Sequence, residues 1–140
     1  MGKINYGRLI LGTIVAGVFY FLTDGAIHTM LGPYHLAAIT GAGKATQPQD
    51  QMAFVYFAIY DLGKGLVALL VYAGVRPRFG AGLKTAAWAG VVTWLACIVV
   101  PTIAAIPFPF YEKIYFYKLM GLSIIPVIVG AILGAAIYKE

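Results

Sequence analysis

Charge is what this sequence has least of. Only 11 % of its 140 residues are Asp, Glu, Lys or Arg, where soluble domains carry about 25 %. So few charges cannot cover a water-facing surface, which excludes an ordinary soluble domain. Cysteine is nearly missing too, with Cys97 alone. A single cysteine makes no intrachain disulfide. Inside an apolar run it reads as a small packing residue and says nothing of redox compartment. His28 and His35 are the only histidines. Together with Asp24 they reach three potential metal ligands, but Pro33 separates them and no cysteine or Glu-x-x-His pattern supports them, so no metal site is assigned. Both histidines fall at one surface, which disfavours a bis-histidine haem. A single axial His28 for a haem or chlorin stays open; otherwise no cofactor is expected. There is no Ser/His/Asp set and no glycosidase-type carboxylate pair, so no catalytic residue is assigned.

Apolar residues are abundant, at 61 %. A hydrocarbon layer about 30 Å thick takes roughly 20 apolar residues of helix to cross. Four runs qualify: about 9–30, 52–75, 83–106 and 115–138. They leave no stretch for a soluble domain, so 1–140 reads as one membrane domain. Barrel strands alternate apolar and polar residues. "GLSIIPVIVGAILGAAIY" (121–138) does not, and its Gly and Pro suit a membrane helix. The expected fold is therefore an all-α, four-helix integral membrane bundle. The first run follows Lys3 and Arg8 like a signal peptide, but it is long and lacks a small-x-small cleavage site, so it reads as an uncleaved span.

The net charge of +5 needs no nucleic acid to explain it. Basic residues gather at the cytoplasmic ends of membrane spans. Lys3, Arg8, Arg76, Arg78, Lys84 and Lys139 fall on the side of the termini. Lys44, Lys113 and Lys118 fall on the other. This asymmetry predicts both termini inside, with the "GVRPRFG" turn (74–80) as its strongest part.

The outer loop, 32–51, is the only long one. Pro33 should stop the first span, "YHLAAI" (34–39) suits one interfacial turn, and the rest reads as a linker. Its "TGAGKAT" (40–46) is not a phosphate loop: Ala45 stands where a Walker motif needs Ser or Thr. "AGVFYFL" (16–22) resembles "AGVVTWL" (89–95), and "VYFAIY" (55–60) resembles "IYFYKL" (114–119). These echoes suggest two parallel helical hairpins. Gly130 and Gly134 give a G-x-x-x-G packing seam, and Pro126 should kink the last span or free a carbonyl.

Two features point to a site. Fourteen of the twenty aromatic residues map to the outer half. Among them are Tyr20 and Tyr60. They are either a thick interfacial belt or the wall of a pocket for a lipid, quinone or pigment. Within "FVYFAIYDLGKGLVALLVY" (54–72), Asp61 and Lys64 lie near the middle of a span. At 1.5 Å per residue, His28 sits near the outer boundary, Asp24 about 6 Å below it, Asp61 about 12 Å and Lys64 roughly 16 Å. Asp24 and His28 share a face, as do Asp61 and Lys64. If the first two spans are neighbours, the four make a descending polar ladder. Each charge alone costs about 2.5–3.5 kcal/mol at a span's centre, so they are expected to pair. Gly63 and Gly65 flank Lys64 and should admit a second helix. The ladder is then either an ion pair that sets helix register or a site for a ligand or proton. Below Lys64 the embedded polar side chains include Thr13, Thr93 and the Tyr72 hydroxyl, none of which titrates near neutral pH, which fits a pocket entered from outside better than a through-path.

The opening "INYGRLILGTIVAGVFYFLTDGAIHTML" (4–31) resembles a loose group of small, uncharacterised bacterial membrane proteins of about four spans, through Arg8, Gly12, Gly17, Asp24 and His28. The resemblance implies a bacterial inner-membrane protein and carries over no catalytic residue. The expected function is a non-enzymatic membrane subunit, a homo-oligomer or an accessory part of a larger membrane complex, holding a lipid, quinone or pigment in its aromatic outer pocket. The alternatives are a small transporter or channel using Asp24, Asp61 and Lys64, and a membrane enzyme acting on a lipid-like substrate.

Overall fold

A computed structural model describes residues 4–44 and 50–138. Lys3, Lys139 and the stretch 45–49 of the outer loop, which enter the charge count and the loop reading above, lie outside the described residues. The fold is helical, with no strand among the described residues. Its elements are α1 (Tyr6–Met30), α2 (Gly32–Gly41), α3 (Ala53–Phe79), α4 (Leu83–Trp94), a π-helical turn (Leu95–Val99), α5 (Val100–Ala105) and α6 (Lys113–Ile137). Four segments are long and apolar enough to cross a bilayer: Tyr6–Met30, Ala53–Phe79, Leu83–Ala105 and Lys113–Ile137. By length and composition this is a multi-pass membrane protein.

The four long segments close into a ring. α1 packs on α3 and α6, and α4 packs on α6 and α3. The packing is inverted relative to a soluble protein. The centre holds small residues, such as Ala16, Ala68, Ala89 and Ala131, while Ile10, Leu22, Ile59, Leu70, Val100 and Ile125 face outward. Lipid tails are as apolar as leucine, so close backbone contact rather than apolar burial holds such helices together. Gly65 shows it: a Cβ there would lie 2.6 Å from the Thr13 carbonyl of α1. A Cβ on Gly130 would overlap the Tyr20 ring, and one on Gly134 would lie 2.7 Å from the Gly12 carbonyl. The Gly130/Gly134 seam is therefore an α1–α6 contact within the chain. Gly63 does not belong to it: it is exposed and a Cβ there meets nothing. Lys64 and Gly65 point inward, and Gly63 sits on the other side of the helix.

Three boundaries differ from expectation. Pro33 follows the end of α1 at Met30 and occupies the first turn of α2, where its missing N–H costs nothing; the single turn expected at 34–39 is a helix of ten residues. α3 runs past Val75 and through Pro77 to Phe79, so most of "GVRPRFG" is helix. That places Arg76 and Arg78 in the last turn, favourable to the negative end of the helix dipole. The actual turn uses Gly80 and Gly82, at φ +80° and +142°, values that L side chains avoid. At the same end of the bundle, Arg8 donates to the Ile137 carbonyl at 3.4 Å. Finally, the third span is interrupted by its π-turn.

Candidate functional site

The polar ladder closes on Lys64. Its ammonium contacts the Asp24 carboxylate and lies 2.9 Å from Asp61 Oδ1. Helix geometry explains how residues at different depths meet. Side chains tilt toward their own helix N-terminus, and α1 and α3 run antiparallel. Asp24 therefore leans back toward the start of α1 while Lys64 leans toward the start of α3, past Asp61 one turn earlier. Lys64 is 1 % exposed and Asp61 2 %. Two tyrosine rings complete the surroundings: the ammonium stands 5.0 Å from the centroid of Tyr20 and 5.0 Å from that of Tyr60. This is cation–π distance on both sides.

Both tyrosine hydroxyls are anchored to backbone. Tyr20 donates to the Val127 carbonyl of α6 at 2.9 Å. Tyr60 donates to the Cys97 carbonyl at 3.1 Å. That second acceptor has a cause in the sequence. Pro101 has no N–H and its ring crowds the carbonyl four residues earlier, which is Cys97. The π-turn Leu95–Val99 forms at this point, and the freed carbonyl takes the Tyr60 hydroxyl. Cys97 thus matters through its backbone; its thiol is partly buried and free.

His28 does not pair with Asp24, which is committed to Lys64. Its Nδ1 lies 3.2 Å from His35 Nε2, and His35 Nδ1 lies 3.3 Å from the Tyr111 hydroxyl. α2 makes this chain by turning His35 back over the end of α1, despite the intervening Pro33. Burial, and then the neighbouring His28 ring, lower the His35 pKa from the ordinary histidine range. No group of three metal-ligating side chains occurs among the described residues.

The outer aromatics divide into two sets. Tyr111 and Tyr115 stack at 4.3 Å and join Phe116, Ile27 and Leu31 in a small cluster with Tyr34 packed against it. Lys118 donates to the Tyr34 hydroxyl at 2.7 Å. These residues tie α2 to α6 and form a cap. The second set, Phe21, Phe54, Phe57 and Tyr60, lines a cleft of about 490 Å³ between α1 and α3, with Leu22, Gly25, Thr29, Asp24, His28 and Asp61. Tyr20 is not on its wall; it is fully buried in the bundle. Leu22, Phe54 and Phe57 are exposed on the flank of the bundle, so the cleft opens on the side of the bundle.

Sequence reasoning singled out Asp24, His28, Asp61, Lys64 and Tyr60, all of which lie in or against this cleft. It missed the partnership of His35 and the individual wall residues. The Cys97–Tyr60 link was also missed, although Pro101 marks it four residues downstream. No protein family, curated protein or solved structure matches the chain.

Proposed function

We propose that this chain is a non-enzymatic membrane protein that holds a small lipid-like molecule, such as a lipid, quinone or pigment, in the side-opening cleft between α1 and α3. The cleft carries the reading: about 490 Å³, walled by Phe21, Phe54, Phe57 and Tyr60, with Asp24 and Asp61 at its floor. Ligand sites combine an apolar lining with a few placed polar groups in this way. The transport reading is weaker. In the inner half the Thr93 hydroxyl is spent on the Ala89 carbonyl, the Tyr72 hydroxyl takes the Gly82 N–H and the buried Thr13 hydroxyl has no hydrogen-bond partner among the described residues, so these three do not form a hydrogen-bonded chain inward from Lys64.

The remaining parts of the proposal follow from charge and surface. Both termini face the cytoplasm of a bacterial cell and the protein resides in its inner membrane, as the N-terminal resemblance implies. Arg8, Arg76, Arg78 and Lys84 share one end, and the other end mixes Lys44, Lys113 and Lys118 with Asp50 and Glu112. The chain works as a homo-oligomer or as an accessory subunit of a membrane complex. Its ring order, α1–α3–α4–α6, is compatible with two parallel hairpins.

Gly25 gives a direct test. It lines the cleft and a Cβ there meets nothing, so Gly25→Trp fills the cleft without disturbing the core. Protein purified in mild detergent is extracted and the extract analysed by mass spectrometry. The parent should carry a stoichiometric apolar molecule that Gly25→Trp lacks. Identical extracts from the two would overturn the reading.

A further inference from the structure

The charged groups at the cleft are unevenly placed. Of the three that meet at its floor, Asp24 and Asp61 line it and Lys64 does not. The ammonium stands behind the carboxylates, enclosed by Tyr20 and Tyr60. With both carboxylates ionised, two against one ammonium leave one negative charge in excess, presented to the cleft.

Asp61 Oδ1 is buried and faces the Lys64 ammonium at 2.9 Å, so this oxygen is ion-paired within the cluster. The walls supply the remaining chemistry. Phe21, Phe54 and Phe57 present aromatic rings beside the carboxylates, and a carboxylate among aromatic faces suits an organic cation. An anion would meet the excess negative charge. A neutral hydrocarbon would leave that excess charge without a partner.

We propose that the ligand of this cleft is a lipophilic organic cation, with its charge beside Asp24 and Asp61 and its apolar body against Phe54 and Phe57. This rests on the binding reading above and adds the sign of the ligand's charge.

Tetraphenylphosphonium and tetraphenylborate have nearly the same shape and opposite charge, so they isolate that sign. Each is titrated, by equilibrium dialysis, against the whole chain in nanodiscs of zwitterionic lipid. Discs carrying Gly25→Trp measure the background of partitioning into lipid. The parent should bind the cation saturably above that background and the anion not at all. Asp61→Asn should weaken cation binding at least tenfold. Because Asp61→Asn leaves Lys64 less well paired and can unfold the chain, a second pair of variants avoids the cluster. Gly25→Lys should abolish cation binding, whereas Gly25→Met, of similar length, should retain part of it. Equal binding of both ions, or equal effects of Gly25→Lys and Gly25→Met, would overturn the charge assignment. Absence of cation binding would overturn it too. In each of these cases the extraction experiment still decides separately whether the cleft holds a molecule.

Discussion

Lys64 touches both carboxylates, so the three charges form one energetic unit. Removing the ammonium strands the buried Asp61 against the partly buried Asp24, and breaking a buried ion pair on one side costs about 3–5 kcal/mol. Lys64→Met should therefore be the most damaging single change at the cluster, read by unfolding in mixed micelles. The triple variant Asp24→Asn, Asp61→Asn, Lys64→Met removes every charge together and should recover most of the loss. A triple variant no more stable than Lys64→Met would show that the charges are not coupled. His35 makes a prediction in pH. Its pKa is lowered, by burial first and by His28 second, so the folded state takes up this proton less readily than the unfolded chain. The stability contributed by the neutral ring is intact above its unfolded value of about 6.5. It is lost as pH falls through the lowered folded value. His35→Gln should flatten the fall in Tm between about pH 7.5 and pH 5; an unchanged slope would place the titration elsewhere. At this scale the sequence was informative where a residue is out of place in lipid. Asp24, Asp61 and Lys64 announce themselves because each is expensive unpaired. His35 did not, since its role depends on how α2 folds back.

Helices rather than residues decide how closely the backbones approach. Gly65 and Gly130 permit contacts that no side chain could share. Gly65→Ala meets backbone, which cannot move aside, and should lower Tm, while Gly63→Ala, which meets nothing, should leave it unchanged or slightly raised. Equal effects would mean that α1 and α3 do not meet at Gly65. The π-turn gives a sharper test. Tyr60→Phe strands the Cys97 carbonyl, at roughly 1 kcal/mol for a hydrogen bond of this kind. Pro101→Ala restores an N–H four residues after Cys97, so that the helix itself can satisfy the carbonyl. Tyr60→Phe should therefore cost less in a Pro101→Ala background, and a double-mutant cycle measures the difference. Element types and most span ends were readable from long apolar runs; the end of α3 was not. α3 continues to Phe79 because a helix C-terminus welcomes Arg76 and Arg78, an effect that hydropathy does not register. α2 was read as a single turn at 34–39, shorter than its ten residues, because Pro33 suits a first turn as well as a stop.

For the molecule as a whole, orientation is the first thing to measure. With Cys97 replaced, an impermeant thiol reagent added outside intact cells should label Ala42→Cys and not Phe79→Cys. The reverse pattern would invert the topology and place the cleft in the inner leaflet. The overall bundle was legible because span length and charge scarcity are properties of composition. A pocket beside Asp24 and Asp61 was expected, but its side opening was not, since that depends on which aromatics turn toward the cap and which toward the flank: Tyr111 and Tyr115 go one way, Phe54 and Phe57 the other. The lateral position of that opening has a consequence for how occupancy should be counted. A ligand that enters from the flank arrives through a two-dimensional solvent, and the protein senses its mole fraction among the surrounding lipids rather than its concentration in water. Adding empty lipid to a fixed amount of protein and ligand should empty the cleft by dilution, with the aqueous volume held constant. Adding water should do far less.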